Sequence, residues 1–293
     1  MNSFCNKRVK VAAVVVLYRP DGDVLRCILS YANQVGRVFL VDNSENPETD
    51  KFQDFCNDEQ NIEYCALGDN YGIARALNVG AEKAIAAGYD LLLTMDQDSM
   101  AAPNMVKYQL RAGDSLGWEK ISIISPMHRI GFDHEKSMGD VYDVESAWTS
   151  GCLLNLHVYQ KIGCFEEELF IDFVDHEYCL RSRVHGFRVV KVNAAELYHA
   201  IGDGARRVKV FGLPLIVSNH SPLRRYYITR NRLYVTKKFR KEFTGFYWMD
   251  KVYFISELIT VLFFEKQKMD KIIMIFRGVL DYFNGVMGKC HYV

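Results

Sequence analysis

Short apolar runs alternate with amphipathic segments along the first hundred residues. The run Val11 to Leu17 is continuously apolar and rich in β-branched residues, which is typical of a strand buried on both faces of a sheet. The same pattern predicts strands at 38–41, 62–67 and 91–95, and helical spacing predicts helices at 23–34 and 73–87. This alternation predicts an α/β fold in which βαβ units build a parallel sheet.

The rest of the chain divides into a mixed segment and a helical one. Apolar spacing predicts helices at 104–112, 156–162 and 178–185, and strands at 121–125 and 188–192. From about Pro222 onward the pattern is helical, with basic residues among Tyr, Phe and Ile. We therefore expect a domain at 1–220 that contains the sheet, and a helical, basic and aromatic region at 221–293.

Polar residues follow each of the predicted parallel strands. They form the segments Tyr18 to Pro20, Asp42 to Ser44, Asp69 to Gly72 and Asp96 to Ser99. In open α/β sheets, ligands bind beyond the carboxyl ends of the strands. We therefore expect these four segments to line one cleft.

Composition fits a folded domain in a reducing compartment. The 293 residues are 49% hydrophobic and 25% charged, near the averages for globular proteins. The 8 cysteines include no C-x-x-C pair, which argues against a disulfide framework. The most apolar stretch, 253–264, is shorter than the roughly 20 residues of a membrane span. We expect a cytoplasmic protein.

Charge is divided unevenly, although the formal net charge is 0. Residues 1–204 carry 19 Lys and Arg against 30 Asp and Glu, a balance of −11, whereas residues 205–293 carry 17 against 6, a balance of +11. The basic segment 221–241 and the aromatic segment 246–264 suit docking on an anionic membrane surface. A helical hairpin that closes the domain, or a homo-oligomer interface, explains the same pattern. Nucleic acid is not expected as a partner, because it gives the acidic clusters no role.

The segment Met95-Asp-Gln-Asp-Ser99 carries the sharpest local signal for chemistry. Asp96 and Asp98 directly follow a buried strand, and two such carboxylates can hold a divalent cation that also binds diphosphate oxygens. Taken alone, an Asp-x-Asp turn is equally an ordinary surface loop. The surrounding motifs decide between these interpretations.

The order of motifs along residues 9–204 resembles the inverting, nucleotide-sugar-dependent glycosyltransferases of family 2. Those motifs are Val14-Val-Val-Leu-Tyr18, Val41-Asp-Asn-Ser44, Asn70-Tyr-Gly-Ile-Ala74, Asp96-Gln-Asp98, Ser150-Gly-Cys-Leu153 and Phe173-Val-Asp-His-Glu-Tyr-Cys-Leu-Arg181. Within the family, the chain is most similar to bacterial rhamnosyltransferases of O-antigen and capsule assembly. The resemblance implies a GT-A fold, a nucleotide-diphospho-sugar donor, a Mg²⁺ or Mn²⁺ cofactor and inversion at the anomeric carbon.

Four residues suit the nucleotide of such a donor. Asp42 can accept a hydrogen bond from the N3–H of uracil or thymine, and Tyr18 can flank the base. Asn70 and Gly72 allow close approach to the ribose and phosphates. The competing interpretation makes Asp42 part of a capping turn and Gly72 a helix-entry glycine.

Three further residues are expected near the diphosphate or the sugar. Arg75 is placed near the diphosphate, although a salt bridge on the helix face explains it as well. Trp148 and Gly151 match the segment that lines the donor sugar and acceptor in the family. Trp148 could stack on a sugar face or belong to the core.

A second acidic cluster supplies the base that an acceptor hydroxyl needs. Alignment with the family motif places the catalytic Asp on Asp175. Val174 stands where family members often carry Glu, so Asp172 and Glu177 remain alternative bases. These acids could instead complement the dipole of the following helix.

His199 matches a family position that completes the metal or diphosphate site. With Asp96 and Asp98 it gives a predicted metal-ligand set, in which imidazole suits Mn²⁺ better than Mg²⁺. A structural histidine is the alternative.

Together these expectations describe an enzyme that transfers L-rhamnose from dTDP-L-rhamnose to a lipid-diphosphate-linked saccharide at the inner face of the cell membrane. A UDP-hexose-dependent transferase of the same family is the alternative enzyme. A catalytically silent interaction protein on the same scaffold is the alternative outside enzymes.

Overall fold

The computed structural model describes residues 9–20, 23–130, 133–134, 140–199, 206–210 and 213–292. It divides into two compact units. Unit 1 is Met1–Glu167 with Asp175–Ala200, and unit 2 is Glu168–Val174 with Ile201–Val293. This division differs from the boundary expected at residue 220. Unit 2 also takes in the segment before Asp175, because polar side chains of a C-terminal helix bind the carbonyls of that segment.

Unit 1 is built on a mixed sheet in the order β3-β2-β1-β4-β9-β6-β10-β5. Its strands are β1 (Val11–Leu17), β2 (Arg37–Asp42), β3 (Ile62–Ala66), β4 (Leu91–Asp96), β5 (Ser99–Ala101), β6 (Ile121–Ile130), β7 (Asp133–His134), β8 (Val141–Asp143), β9 (Cys152–Asn155) and β10 (Arg188–His199). The strands β1 to β4 are parallel to one another, as predicted.

The rest of the sheet is mixed, because β9 runs antiparallel to both of its neighbours, β4 and β6. The chain before β9 is tied to the carboxyl-end half of β4, where the Gly151 N–H donates to the Thr94 carbonyl at 2.7 Å. From there β9 can only run back along β4 in the opposite direction.

Helices cover the sheet of unit 1. They are α1 (Val24–Ala32), α2 (Thr49–Asp58), α3 (Ile73–Ala86), α4 (Met105–Leu116), α5 (Leu156–Ile162) and α6 (Val174–Val184), of which only the first residue of α6 is counted with unit 2. Apolar side chains of α1 and α4 join β1, β2 and β4 in the main hydrophobic core. The β1 side chains are almost all buried, which explains its continuous apolar run.

Unit 2 consists of helices and a hairpin. The helices are α7 (Pro222–Lys238), α8 (Thr244–Phe263) and α9 (Lys268–Asn284), and the hairpin joins β11 (Arg206–Val210) to β12 (Leu213–Val217). Close packing of α9 on α7 requires Gly278, because a Cβ there would lie 2.7 Å from the Tyr226 carbonyl oxygen. Within the described residues, every helix is too short or too polar to cross a membrane.

Candidate active site

The loop after β1 is fastened to the Asp-Gln-Asp turn after β4. The Tyr18 N–H donates to Gln97 Oε1 at 2.8 Å, and Gln97 Nε2 donates back to the Tyr18 carbonyl at 3.2 Å. The middle residue of the motif therefore fixes the backbone of Tyr18, whose ring is partly exposed.

Further hydrogen bonds join the remaining strand ends. The Arg19 N–H donates to Ser44 Oγ at 2.8 Å, which links the loops after β1 and β2. Asn43 Nδ2 donates to Asn70 Oδ1 at 3.1 Å, which links the loops after β2 and β3. The four polar segments thus lie together at the carboxyl edge of the sheet, as the sequence predicts.

Asp42 is buried and holds the loop that follows it. Its Oδ1 accepts from the Ser44 N–H at 3.0 Å, and its Oδ2 accepts from the Tyr64 hydroxyl at 2.7 Å. Burial and the hydrogen bond to Asp42 raise the pKa of Tyr64 well above its usual value, so the phenol remains a donor. The structure therefore supports the turn interpretation of Asp42, and its contact with a base stays a prediction.

Asn70 and Gly72 form the entry to α3. The Gly72 N–H donates to Asn70 Oδ1 at 3.0 Å, and Gly72 has a φ of 87°. Any residue with a Cβ is strained at that φ, so the backbone conformation is enough to explain the glycine. A contact of Gly72 with the ribose or phosphates stays a prediction.

Asp96 and Asp98 flank the turn between β4 and β5, where Asp96 is half-buried and Asp98 is exposed. The Ser150 hydroxyl accepts from the Asp96 N–H at 3.0 Å and donates to Ser99 Oγ at 2.9 Å. Ser150 therefore ties the segment 148–151 to both sides of the carboxylate turn.

The predicted metal ligands come from two neighbouring strands. The backbone of His199 in β10 pairs with Ser99 in β5, one residue after Asp98. The His199 side chain lies outside the described part of the chain, and the described side chains contain no group of three or more His, Cys, Asp or Glu able to hold a metal. Two carboxylates on one turn, with an imidazole-bearing residue in register beside them, are the donor types that fit Mg²⁺ or Mn²⁺.

Trp148 is 47% exposed, so the core interpretation of this residue is wrong. Its ring packs edge-on against His128, with centroids 5.0 Å apart, and His128 Nε2 lies 2.9 Å from the Ser150 carbonyl. Gly151 has a φ of 80°, and a Cβ there would lie 2.6 Å from Pro126 Cγ. Tight packing fixes Gly151 and leaves Trp148 with an open face.

Arg75 forms ion pairs with Glu167 at 3.2 Å and with Glu82 at 3.6 Å. Arg75 therefore forms the salt bridge that is the alternative to a diphosphate contact. A role at the diphosphate stays a prediction.

Asp175 lines a small cavity together with Thr94, Thr149 and Cys152. Its Oδ1 accepts from the N–H of His176 at 2.8 Å. Burial raises the pKa of the Cys152 thiol to about 12, so this thiol stays neutral. Asp175 is therefore a half-buried carboxylate on a concave surface.

Glu177, an alternative base, is buried in an ion pair with Arg181. Arg181 donates to it from both Nε and Nη2, each at 2.9 Å. The same guanidinium also donates to the carbonyls of Ile162, Gly163 and Cys164. Arg181 therefore ties α6 to the segment 162–164, and Glu177 has a structural partner in that guanidinium, so its role as a base stays a prediction.

Asp172 belongs to unit 2, where its carboxylate accepts hydrogen bonds from Arg224 Nε at 3.2 Å and Nη2 at 3.0 Å. The pairing gives Asp172 a structural partner. Asp175, in contrast, lines the small cavity described above.

Several residues that shape this site were missed by sequence reasoning. Gln97, Ser150 and Asn43 lie inside the motifs named above but had no role assigned to them, whereas Tyr64 gave no signal. Their function depends on side chains that meet only across neighbouring strands.

Two basic residues of α7, Arg225 and Arg232, are buried and not available to an external anion, which corrects the expectation for them. Arg225 is buried in an ion pair with Glu265, which also pairs with Lys271 at 2.9 Å. Arg232 pairs with Asp250 at 2.9 Å and with Glu257 at 2.6 Å. Their charges are neutralised inside unit 2.

Comparison with known families and proteins agrees with this geometry. Residues 13–125 match the family model described as Glycosyl transferase family 2. Over 250 residues it is 29% identical to the dTDP-rhamnosyl transferase RfbF of Shigella flexneri, covering 78% of this chain and 80% of that protein. These two matches support a family 2 glycosyltransferase that resembles rhamnosyltransferases.

Solved structures confirm the GT-A architecture. The crystal structure of S. aureus TarS 1-349 aligns with a TM-score of 0.60 and 12% identity over 94% of this chain and 81% of that one. The crystal structure of GalNAc-T7 with UDP, GalNAc and Mn²⁺ aligns with a TM-score of 0.62 and 12% identity. That alignment covers 82% of this chain and 50% of the GalNAc-T7 chain. At such identities the likeness concerns the fold.

Proposed function

We propose that this protein transfers L-rhamnose from dTDP-L-rhamnose, with inversion, to a hydroxyl of a lipid-diphosphate-linked saccharide in O-antigen or capsule synthesis. The observation that carries the proposal is the hydrogen-bonded meeting of the loops after β1, β2, β3 and β4. The resemblance to a dTDP-rhamnosyl transferase supports the choice of sugar.

The donor nucleotide would lie along these loops. The partly exposed ring of Tyr18 offers a flat surface to a base, and the turn at Asn70 and Gly72 would lie near the ribose and phosphates. Thymine and uracil present the same N3–H edge, so the residues considered for the base suit either nucleotide. A UDP-hexose is therefore the alternative donor.

Asp96, Asp98 and His199 would hold the divalent cation. When bound, it would neutralise negative charge on the nucleotide diphosphate as that group departs. The exposure of Asp98 and the backbone register of His199 beside the turn support this ligand set.

Asp175 would act as the general base. Its carboxylate takes the proton of the acceptor hydroxyl while the oxygen forms a bond to the anomeric carbon. The bond from that carbon to the diphosphate oxygen breaks on the opposite face, so one displacement inverts the configuration. The partly exposed ring of Trp148 would stack on one face of the sugar.

Unit 2 would bring the enzyme to the inner face of the cell membrane, where the lipid-linked acceptor lies. Large apolar side chains are exposed on two of its helices, namely Trp248, Met249, Val252, Tyr253, Ile255, Leu262 and Phe263 on α8 and Met269, Ile273, Phe276, Leu280 and Phe283 on α9. Lys251, Lys266 and Lys268 belong to the same part of the chain and carry charge complementary to anionic lipid.

Calorimetric binding of a nucleotide-sugar panel, with and without Mn²⁺ or Mg²⁺, tests the proposal. We expect metal-dependent preference for dTDP-L-rhamnose over UDP-glucose, UDP-galactose and UDP-galactofuranose. Preference for a UDP-sugar would replace the donor while keeping the mechanism. Absence of binding by every donor would contradict the enzyme assignment and favour a silent interaction protein.

A further inference from the structure

The segment Glu168–Val174 of unit 2 leads directly into Asp175 and has an unusual backbone. Phe170, Asp172 and Phe173 have φ values of 66°, 60° and 65°, in the left-handed region. L side chains are crowded at these values, so such residues persist only where other contacts hold them. The loop before Asp175 therefore depends on contacts from outside itself.

Asn231 of α7 supplies the densest set of these contacts. Its buried Nδ2 donates to the carbonyls of Leu169 at 2.7 Å, Ile171 at 2.7 Å and Asp172 at 3.0 Å. One amide thus binds three carbonyls of the left-handed loop. A carboxylate of the same size could not replace it, because a carboxylate only accepts hydrogen bonds.

Arg230 of α7 binds the same loop. It is fully buried, and it donates to the carbonyls of Glu168 and Leu169 at 3.3 Å each and to the carbonyl of Gly288 at 2.8 Å. Its Nε donates to Asn231 Oδ1 at 3.0 Å, which leaves the amide NH₂ of Asn231 facing the loop. The buried charge of Arg230 therefore binds and orders neutral backbone groups.

Three other residues of α7 also contact this loop. Arg224 pairs with Asp172, Tyr227 stacks on Phe170 with ring centroids 5.1 Å apart, and the Arg232 guanidinium lies 5.5 Å from the Phe173 ring centroid. Every residue with positive φ in the loop thus has its own partner on α7.

We propose that Asn231 is a positioning residue for transfer, since it sets the loop from which Asp175 emerges; the inference rests on the function proposed for Asp175. Asp175 follows Asp172 by three residues, so the loop conformation determines where the chain enters α6. Misplacing a general base by about 1 Å costs up to about a hundredfold in rate.

The test compares kcat with donor affinity in Asn231→Asp, using release of dTDP from dTDP-L-rhamnose in the presence of synthetic lipid-diphosphate-linked saccharides. We expect kcat to fall about tenfold or more while the calorimetric Kd for dTDP-L-rhamnose changes less than about twofold. Thr236→Val is the matched control, because Thr236 is buried on α7 and bonds only within the helix, to the Arg232 carbonyl. Arg224→Gln is a milder variant at a half-exposed contact and should show the same split with a smaller loss.

The double variant with Asp175→Asn shows whether Asn231 acts through Asp175. We expect Asn231→Asp to lower the residual rate of Asp175→Asn by less than about twofold, because the base it positions is already absent. An undiminished loss in the double variant, or full activity of Asn231→Asp, would overturn the positioning role. Full activity of Asp175→Asn would instead overturn the proposed function, and the two failures are therefore distinguishable.

Discussion

Unit 1 and unit 2 place their charged side chains differently. In unit 1, Asp96, Asp98 and Asp175 lie at a turn or on a cavity, and each is at least partly accessible. In unit 2, Arg225 and Arg232 are buried and paired with carboxylates of the same unit. A count of charges therefore predicts a site only where the fold leaves the charges accessible.

Two Lys–Glu pairs with nearly the same N···O distance, one in each unit, should show the largest difference in stability. Lys271 Nζ lies 2.9 Å from Glu265 Oε2 in unit 2, with both side chains buried, whereas Lys51 Nζ lies 2.8 Å from Glu48 Oε2 in unit 1, with both exposed. We expect Lys271→Met to lower the free energy of unfolding by about 3 kcal/mol, at the low end for a buried pair because Arg225 still pairs with Glu265.

Lys51→Met is the matched control and should change the free energy of unfolding by less than about 1 kcal/mol. Urea titration of both variants measures the difference. Equal losses in the two variants would contradict the view that unit 2 depends on internal charge pairs.

A pair of glycines gives a second comparison of intermediate size. Gly72→Ala places a side chain at a φ of 87° and should cost about 1–3 kcal/mol. Gly245→Ala in α8 meets no atom within 4 Å of the new Cβ and should leave stability nearly unchanged. Thermal unfolding of both variants tests this, and a harmless Gly72→Ala would show that the loop before α3 tolerates other backbone conformations.

The apolar faces of unit 2 give the smallest expected effect on stability. Trp248→Ser with Phe263→Ser removes exposed side chains, so the free energy of unfolding should change by about 0.5 kcal/mol or less. Binding to vesicles with anionic lipid should weaken, whereas Leu29→Ser, an exposed control in unit 1, should bind as the wild type does. Unchanged vesicle binding in the double variant would contradict membrane docking through these faces.

The sequence predicted the strands in the first half of unit 1 closely, because a strand that is buried on both faces consists of consecutive apolar residues. Thus β1 covers Val11–Leu17 as expected, and the polar strand ends lie together. It gave no prediction of α2, whose helix Thr49–Asp58 buries Phe52 alone and is otherwise polar. β10 extends to His199 beyond the predicted end at 192, because register shifts break its alternating pattern.

The sequence singles out residues whose own chemistry suits a role, as with Asp96, Asp98 and Asp175, and those roles stay predictions. The site was not predictable where a side chain acts on a distant backbone. Asn231 and Arg230 belong to a segment whose basic composition favoured an anionic surface, yet their partners are carbonyls about sixty residues earlier in the chain. Such contacts follow from the three-dimensional packing and leave no periodic signal.

The central claim is that the carboxylates of unit 1 divide two tasks, with Asp98 serving donor binding and Asp175 serving proton removal. The most direct measurement is calorimetric donor binding and transfer in Asp98→Asn and Asp175→Asn, with and without Mn²⁺. We expect Asp98→Asn to lose metal-dependent donor binding, and Asp175→Asn to bind donor normally while transfer falls by about 10²–10⁴-fold. Equal loss of donor binding in both variants would contradict the account.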